Sequence, residues 1–185
     1  MEVDEGPILD AVIGVVSRYG IKRTTMDELA RQAAVSRQTL YDRFGDKDGI
    51  FAAAIAYSAK RVEEALQTGF AQQTSLGDKI DVFYSVAVLP FYELFRRMPD
   101  VADFEKGLGA HSKATSNAAT RRRQEILAAM FAEHVSQGGR TPEQIAVFFD
   151  KSCNRAKLFS ETIEDLEAYL SLLKESIVAV IARAP

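Results

Sequence analysis

Arg37, Gln38 and Thr39 follow one another directly behind Ser36. Their side chains are those that read base edges in a DNA groove: a guanidinium that pairs bidentately with guanine, an amide that pairs with adenine, and a hydroxyl that serves either. The chemistry works only if the three residues stand at the exposed start of a short helix. Ser36 is a good N-cap for such a helix, Leu40, Tyr41 and Phe44 mark its inner face, and Gly45 closes it. The period that buries Leu40 turns Arg37, Gln38 and Thr39 outward. Just upstream, Thr25-Met26-Asp27-Glu28 has the form of a capping box, and Met26, Leu29, Ala30 and Ala33 give the helix it opens an apolar face. Ala33-Ala34-Val35 is the tight turn between the two. The sequence therefore predicts a helix-turn-helix from Thr25 to Phe44, whose second helix is the one that enters a major groove.

Charge agrees with this placement. From Arg18 to Lys47 there are seven cationic residues (Arg18, Lys22, Arg23, Arg31, Arg37, Arg43, Lys47) against four acidic ones (Asp27, Glu28, Asp42, Asp46), so seven minus four leaves +3. The whole chain of 185 residues carries a net charge of −3. A basic segment inside an acidic protein is a local patch rather than a general coating. The plainer reading, a small helical subdomain with a solvated basic face, has against it the agreement of two caps, a turn and a core pattern with one motif.

The remaining chain reads as helix after helix, an all-α protein of about nine helices. Ile8, Leu9, Val12, Ile13, Val16 and Tyr19 form the apolar face of a first helix, with Pro7 in its first turn and Gly20 at its exit. Asp46 caps a long helix carrying Ile50, Phe51, Ala54, Ile55, Val62 and Leu66 to about Gly69. Further helices are expected at about Asp78 to Arg97, in a short piece near Val101 to Leu108, and at about Ser116 to Ser136. Thr141-Pro142-Glu143-Gln144 opens another. The last carries Ile163, Leu166, Leu170, Leu173, Ile177 and Val180 at heptad spacing. The expected division is a three-helix DNA-binding domain over 1–48, joined by the long helix to an effector-binding and dimerisation domain over 49–185.

Thr25-Met26-Asp27-Glu28-Leu29-Ala30, Val35-Ser36, Thr39-Leu40-Tyr41, Phe44 and Lys47 closely resemble the N-terminal signature of TetR-family repressors, over about residues 8 to 55. The resemblance implies phosphate contacts from Thr24, Thr25, Tyr41 and Lys47. Ser36 caps the recognition helix among them, and base reading falls to Arg37, Gln38 and Thr39. Two positions depart from the family pattern: Ala34 stands where a turn glycine is common, and Gln38 where the recognition helix often has glycine. The resemblance further implies a homodimer on a palindromic operator, released by a small-molecule effector of the C-terminal body.

In that body only side-chain chemistry is a guide. Phe83, Tyr84, Phe91, Tyr92 and Phe95 cluster on one predicted helix, and His111 lies in a Gly109-Ala110-His111-Ser112 stretch. Phe83, Tyr84, Phe91, Phe95 and His111 are accordingly the candidate ligand-binding residues, although aromatic residues at helical spacing are more often core. Phe148 and Phe149, with Leu166, Leu170, Leu173 and Ile177 of the heptad seam, are the candidate dimer interface, the alternative being a seam packed within its own subunit. Arg121-Arg122-Arg123 reads most simply as a solvated face.

Cys153, the single cysteine, forms no internal disulfide and reads as a small buried residue rather than a redox sensor. Two isolated histidines, His111 and His134, define no metal site, and no cofactor motif occurs. An acidic start and the lack of a long apolar run predict a cytoplasmic protein with no membrane partner. Two rival classes remain: an all-α enzyme built on a histidine and a carboxylate, for which no nucleophile elbow or phosphate loop speaks, and a DNA binder controlled by a protein partner.

Overall fold

The computed structural model describes residues 5–99, 104–135 and 140–182, and among these the only regular structure is helical. The elements are α1 (Gly6–Tyr19), α2 (Met26–Gln32), α3 (Arg37–Phe44), α4 (Lys47–Ala71), α5 (Leu76–Phe83), a π-helical turn (Tyr84–Val88), α6 (Leu89–Arg96), the single turn α7 (Phe104–Gly107), α8 (Ala110–Ala132), α9 (Pro142–Phe159) and α10 (Ile163–Ala182). The expected count of about nine stands, because α5 and α6 run on through the π turn as one rod and α7 is barely a helix. No helix among the described residues is long and apolar enough to cross a membrane.

The chain divides into two compact units, Met1–Arg61 with Leu94–Ala119, and Val62–Glu93 with Thr120–Pro185. The unit that holds the helix-turn-helix thus reaches beyond residue 48 and takes in a segment far away in sequence. Its core joins Ile8, Val12 and Val16 of α1 to Leu29, Leu40 and Ile50, and Met98 and Leu108 are buried in the same cluster. Gly107 lies so near Ile21 that an added Cβ would stand 3.0 Å from its Cγ2, which is why a glycine suits the end of α7.

Helix α8 starts earlier than expected, at Ala110 rather than near Ser116. Four free N–H groups at a helix start need acceptors, and Gly109, the residue ahead of Ala110, has no side chain to offer one. The acceptor comes from α4 instead. The Asp48 carboxylate accepts from the backbone N–H of His111 at 2.9 Å and of Ser112 at 3.1 Å, and also from the Ser112 hydroxyl. A Cβ on Gly109 would collide with that carboxylate. Local sequence gives no hint of a cap supplied from more than sixty residues away.

In the second unit Phe149 sits at the centre of an aromatic group, its ring centroid 5.2 Å from Phe83, 5.8 Å from Tyr84 and 5.6 Å from Phe131. Leu166, Leu170, Leu173 and Ile177 line the same core. Buried polar groups interrupt it. Asp150, 1% exposed, accepts from Arg123 at 2.6 and 3.2 Å and from Gln124 at 2.9 Å. Lys157, one turn beyond Cys153, is 9% exposed and donates to the Ala87 carbonyl of the π turn at 3.4 Å.

Burial, and next the Arg123 charge, push the Lys157 amine down to about 8 from an ordinary 10.5. Above pH 8 the unfolded chain therefore holds a proton that the folded one has released, and stability rises with pH. Between pH 8 and 9 this contribution amounts to about 1 kcal/mol. From about pH 8 upward the buried Cys153 thiol opposes part of it, because burial raises the thiol from an ordinary 9 to about 12 and only the unfolded chain ionises. Urea unfolding at pH 8.0 and 9.0 should show the gain in the natural chain and not in Lys157→Met; an equal gain in both would assign it elsewhere.

Candidate nucleic-acid interface

The geometry starts from two caps. Thr25 accepts from the Glu28 N–H at 3.3 Å to open α2, and Ser36 accepts from the Thr39 N–H at 3.0 Å to open α3. The first is half a capping box only, because the Glu28 carboxylate takes hydrogen bonds from Arg31 and Gln32 instead. Between the helices, the Val35 N–H donates to the Ala30 carbonyl at 3.0 Å and the Ala34 N–H to that of Arg31 at 3.3 Å. This is the Schellman pattern, which requires a left-handed residue just past the helix. Ala34 fills that place with φ +53. It adopts the conformation glycine would supply, at the cost of contact between its Cβ and the following carbonyl.

On this frame α3 buries Leu40 completely, while Ser36, Arg37 and Gln38 are exposed and Thr39 half-buried. The expected readers are already engaged within the chain. The Arg37 guanidinium pairs with Asp27 of α2 at 2.7 Å and lies 5.9 Å from the Tyr41 ring centroid. The Tyr41 hydroxyl first, and the Asp27 charge next, hold its pKa above the ordinary arginine range. The Gln38 amide donates to Asp42 one turn on, at 2.6 Å. Thr39 Oγ1 stands 2.8 Å from the Ser36 hydroxyl. Arg37 and Gln38 are thus held by two carboxylates that DNA must displace or that must turn aside. The Gln38–Asp42 pair was legible as an i,i+4 spacing; the Arg37–Asp27 pair, between different helices, was not.

Four residues were expected at phosphates. Thr25 and Tyr41 are exposed. Lys47 is half-buried in the first turn of α4, its ammonium 5.6 Å from the Phe51 ring centroid, and burial lowers its pKa. The expectation for Thr24 needs correcting. Its side chain is buried and its hydroxyl donates to the Gly20 carbonyl at 2.7 Å, closing the loop between α1 and α2. A hydroxyl so engaged positions Thr25 instead of reaching a phosphate.

The ligand-binding candidates also separate. Phe95 and His111 belong to the first unit and Phe83, Tyr84 and Phe91 to the second. Phe83 and Tyr84 are core residues, and the Tyr84 hydroxyl donates to the Leu170 carbonyl at 2.9 Å. Phe95 packs against the first core, and His111 is an exposed residue of the first turn of α8. Phe91 stands by a buried cation, with the Lys157 ammonium 5.4 Å from its ring centroid.

The seam expected at the dimer interface is occupied in its own subunit. Phe149, Leu166, Leu170, Leu173 and Ile177 are all buried within the second unit. A heptad stripe seeks a partner helix, and here α9 and α5 provide it. Phe148 remains outside at 58% exposure, with Phe159 at 62% and Leu172 at 65%.

Residues 8–54 match the family profile described as bacterial regulatory proteins, tetR family. Over these residues the chain is similar to the N-terminal domain of that family. HTH-type transcriptional regulators of Mycobacterium tuberculosis are 44% identical over 50 residues, which is 27% of this chain and 26% of theirs. The chain thus matches about a quarter of the length of these curated relatives. Its fold as a whole resembles that of a TetR-family regulator from Rhodococcus sp., at TM-score 0.75 and 19% identity, covering 95% of this chain and 96% of that one. The transcriptional regulator FadR from Bacillus subtilis, solved in complex with stearoyl-CoA, is similar at TM-score 0.72 and 16% identity, covering 97% and 98%.

If Arg37 and Gln38 read bases while Lys47 holds phosphate, their alanine variants divide by readout. Arg37→Ala and Gln38→Ala should each cost about 1–3 kcal/mol on a preferred site and far less on random duplex. Lys47→Ala should weaken both alike and flatten the salt slope by about one unit. Titrations of fluorescent duplexes at several salt concentrations separate the two patterns, and equal losses for all three variants would contradict the division.

Proposed function

We propose that this chain is a DNA-binding transcriptional regulator, a repressor that sits on a palindromic operator as a homodimer and leaves it when a small molecule binds the helical body. The observation that carries the reading is the exposed Arg37-Gln38 pair at the start of α3, with Leu40 sunk in the core behind it. A short helix anchored from beneath and crossed by α2 presents base-reading side chains in the manner that major-groove recognition demands.

Pairing of two chains follows from the DNA. A palindrome is read by two recognition helices about 34 Å apart, so a second copy is required. The surface that suits it lies on α9 and α10, consecutive helices joined by Ser160–Thr162. Their buried stripes leave a second apolar stripe outside, with Phe148 and Phe159 on α9 and Tyr169 and Leu172 on α10. Two copies joined there make a four-helix bundle. The interface is therefore the stripe beside the heptad seam, not the seam.

Ligand control draws support from a fold neighbour solved with stearoyl-CoA. Helices α4, α6 and α8 each contribute residues to both units, so a ligand that favours another arrangement of the second unit has covalent routes to the first. Asp48 stands beside Lys47 and seats the start of α8. An effector acts through these helices only by its difference in affinity for the two arrangements, about 1.4 kcal/mol for each tenfold loss of operator affinity.

Footprinting on the DNA flanking the protein's own gene should show two protected half-sites one helical turn apart. Leu172→Glu should make the chain monomeric by light scattering, keep its helical circular dichroism and abolish the paired footprint. A footprint unchanged in a monomeric variant would contradict the paired reading, and absence of protection on any flanking DNA would contradict operator binding there.

A further inference from the structure

We propose that Lys157 is the anion-holding group of an effector site in the second unit, and that the effector is a monocarboxylate with an apolar body. The proposal rests on the ligand-control reading above and names the chemical class that reading leaves open.

Charge around Lys157 is out of balance. The charged groups facing Lys157 are Arg123 of α8 and Asp150 of α9, with the thiol of Cys153 beside them. Both oxygens of Asp150 are engaged, one by Arg123 at 2.6 Å and the other by Arg123 at 3.2 Å and Gln124 at 2.9 Å. That ion pair is complete in itself. Lys157 brings a further positive charge to a site nine-tenths buried, where among the described residues the one carboxylate facing it, Asp150, is already shared with Arg123 and Gln124. A buried cation is held by paired charge or full hydrogen bonding, or it loses its proton.

What Lys157 has instead is weak. An ammonium carries three donors. Lys157 makes one long hydrogen bond, 3.4 Å, to the Ala87 carbonyl, and it lies 5.4 Å from the centroid of Phe91. Ala87 belongs to the π turn Tyr84–Val88, a form of helix that recurs at functional sites. The remaining donors of the ammonium, beside the Phe91 ring of α6, suit one negative charge attached to hydrocarbon. A single carboxylate balances the surplus of one. A phosphate monoester, at about −1.5 to −2 near neutral pH, would overshoot it.

Calorimetric titration of the full chain at pH 7 with octanoate and with phenylacetate, each beside its primary amide, tests the inference. At least one of the two acids should bind, with its amide at least tenfold weaker, and Lys157→Met should lose that acid by tenfold or more while keeping its helical circular dichroism. The comparison of acid with amide needs only the natural chain, so it holds whatever the variant does to folding. Affinity for the acid should also fall about tenfold from pH 7 to 9, as the fraction of charged Lys157 falls. Failure of both acids to bind, an amide that binds as well as its acid, or an undiminished Lys157→Met would overturn the proposal. An amide that binds equally and releases DNA would overturn the carboxylate while leaving ligand control standing. An acid that binds through Lys157 without altering DNA affinity would overturn ligand control and leave the site.

Discussion

One carboxylate joins distant parts of the first unit. Asp48 stands in the first turn of α4, next to Lys47, and there it accepts the free N–H groups at the start of α8. A helix start without acceptors is costly when buried, and neither Gly109 nor Ala110 has a side chain able to supply one. The Ser112 hydroxyl first, and the backbone donors of His111 and Ser112 after it, hold the Asp48 carboxyl below its ordinary range. The bonds therefore favour the ionised form, and the stability they bring is present at neutral pH and lost as pH falls through that lowered value. Residues Leu94 to Ala119 belong with the helix-turn-helix because their helix is fastened there and because Met98 and Leu108 share its core.

The DNA-binding surface depends on that same first turn of α4. The recognition helix is short and makes its own cap, but it ends at Gly45, with φ +76, and α4 starts two residues later under the Asp46 cap. Gly49 lies against the Phe44 carbonyl with no room for a Cβ. Lys47, the proposed phosphate contact, is thus set by a tight corner on one side and by the α8 seat on the other. Arg37 and Gln38, the proposed readers, stand outside this corner with carboxylates of their own, Asp27 and Asp42.

Much of this was legible in the amino-acid order, and the division has physical causes. Caps, turns and the burial of Leu29 and Leu40 are local: the side chain that accepts the hydrogen bond lies three residues from the group it serves. Thr25, Ser36, Asp46 and Thr141 were readable for that reason, and Gln38–Asp42 had a helical spacing to betray it. Contacts that cross the chain had no such mark. Asp48 reaches α8 and Asp27 reaches α3. Thr24 turns inward to the Gly20 carbonyl four residues back, a loop closure that its residue type, suited to a phosphate, does not announce. The heptad stripe of α10 was visible, but its partner was not: a stripe of leucines says that a helix packs, not whether the neighbour belongs to its own subunit. Lys157 resembled any surface lysine until α9 was seen to bury it against the π turn.

The most direct test of the account is the DNA affinity of Asp48→Asn, measured beside hydrogen exchange at the amides of His111 and Ser112. Removing a negative charge next to Lys47 would by electrostatics alone strengthen DNA binding. The opposite is expected: protection at the two amides falls by tenfold or more and DNA affinity weakens, because the first turn of α4 has lost its anchor. Affinity equal to or above that of the natural chain, with the two amides still protected, would contradict it.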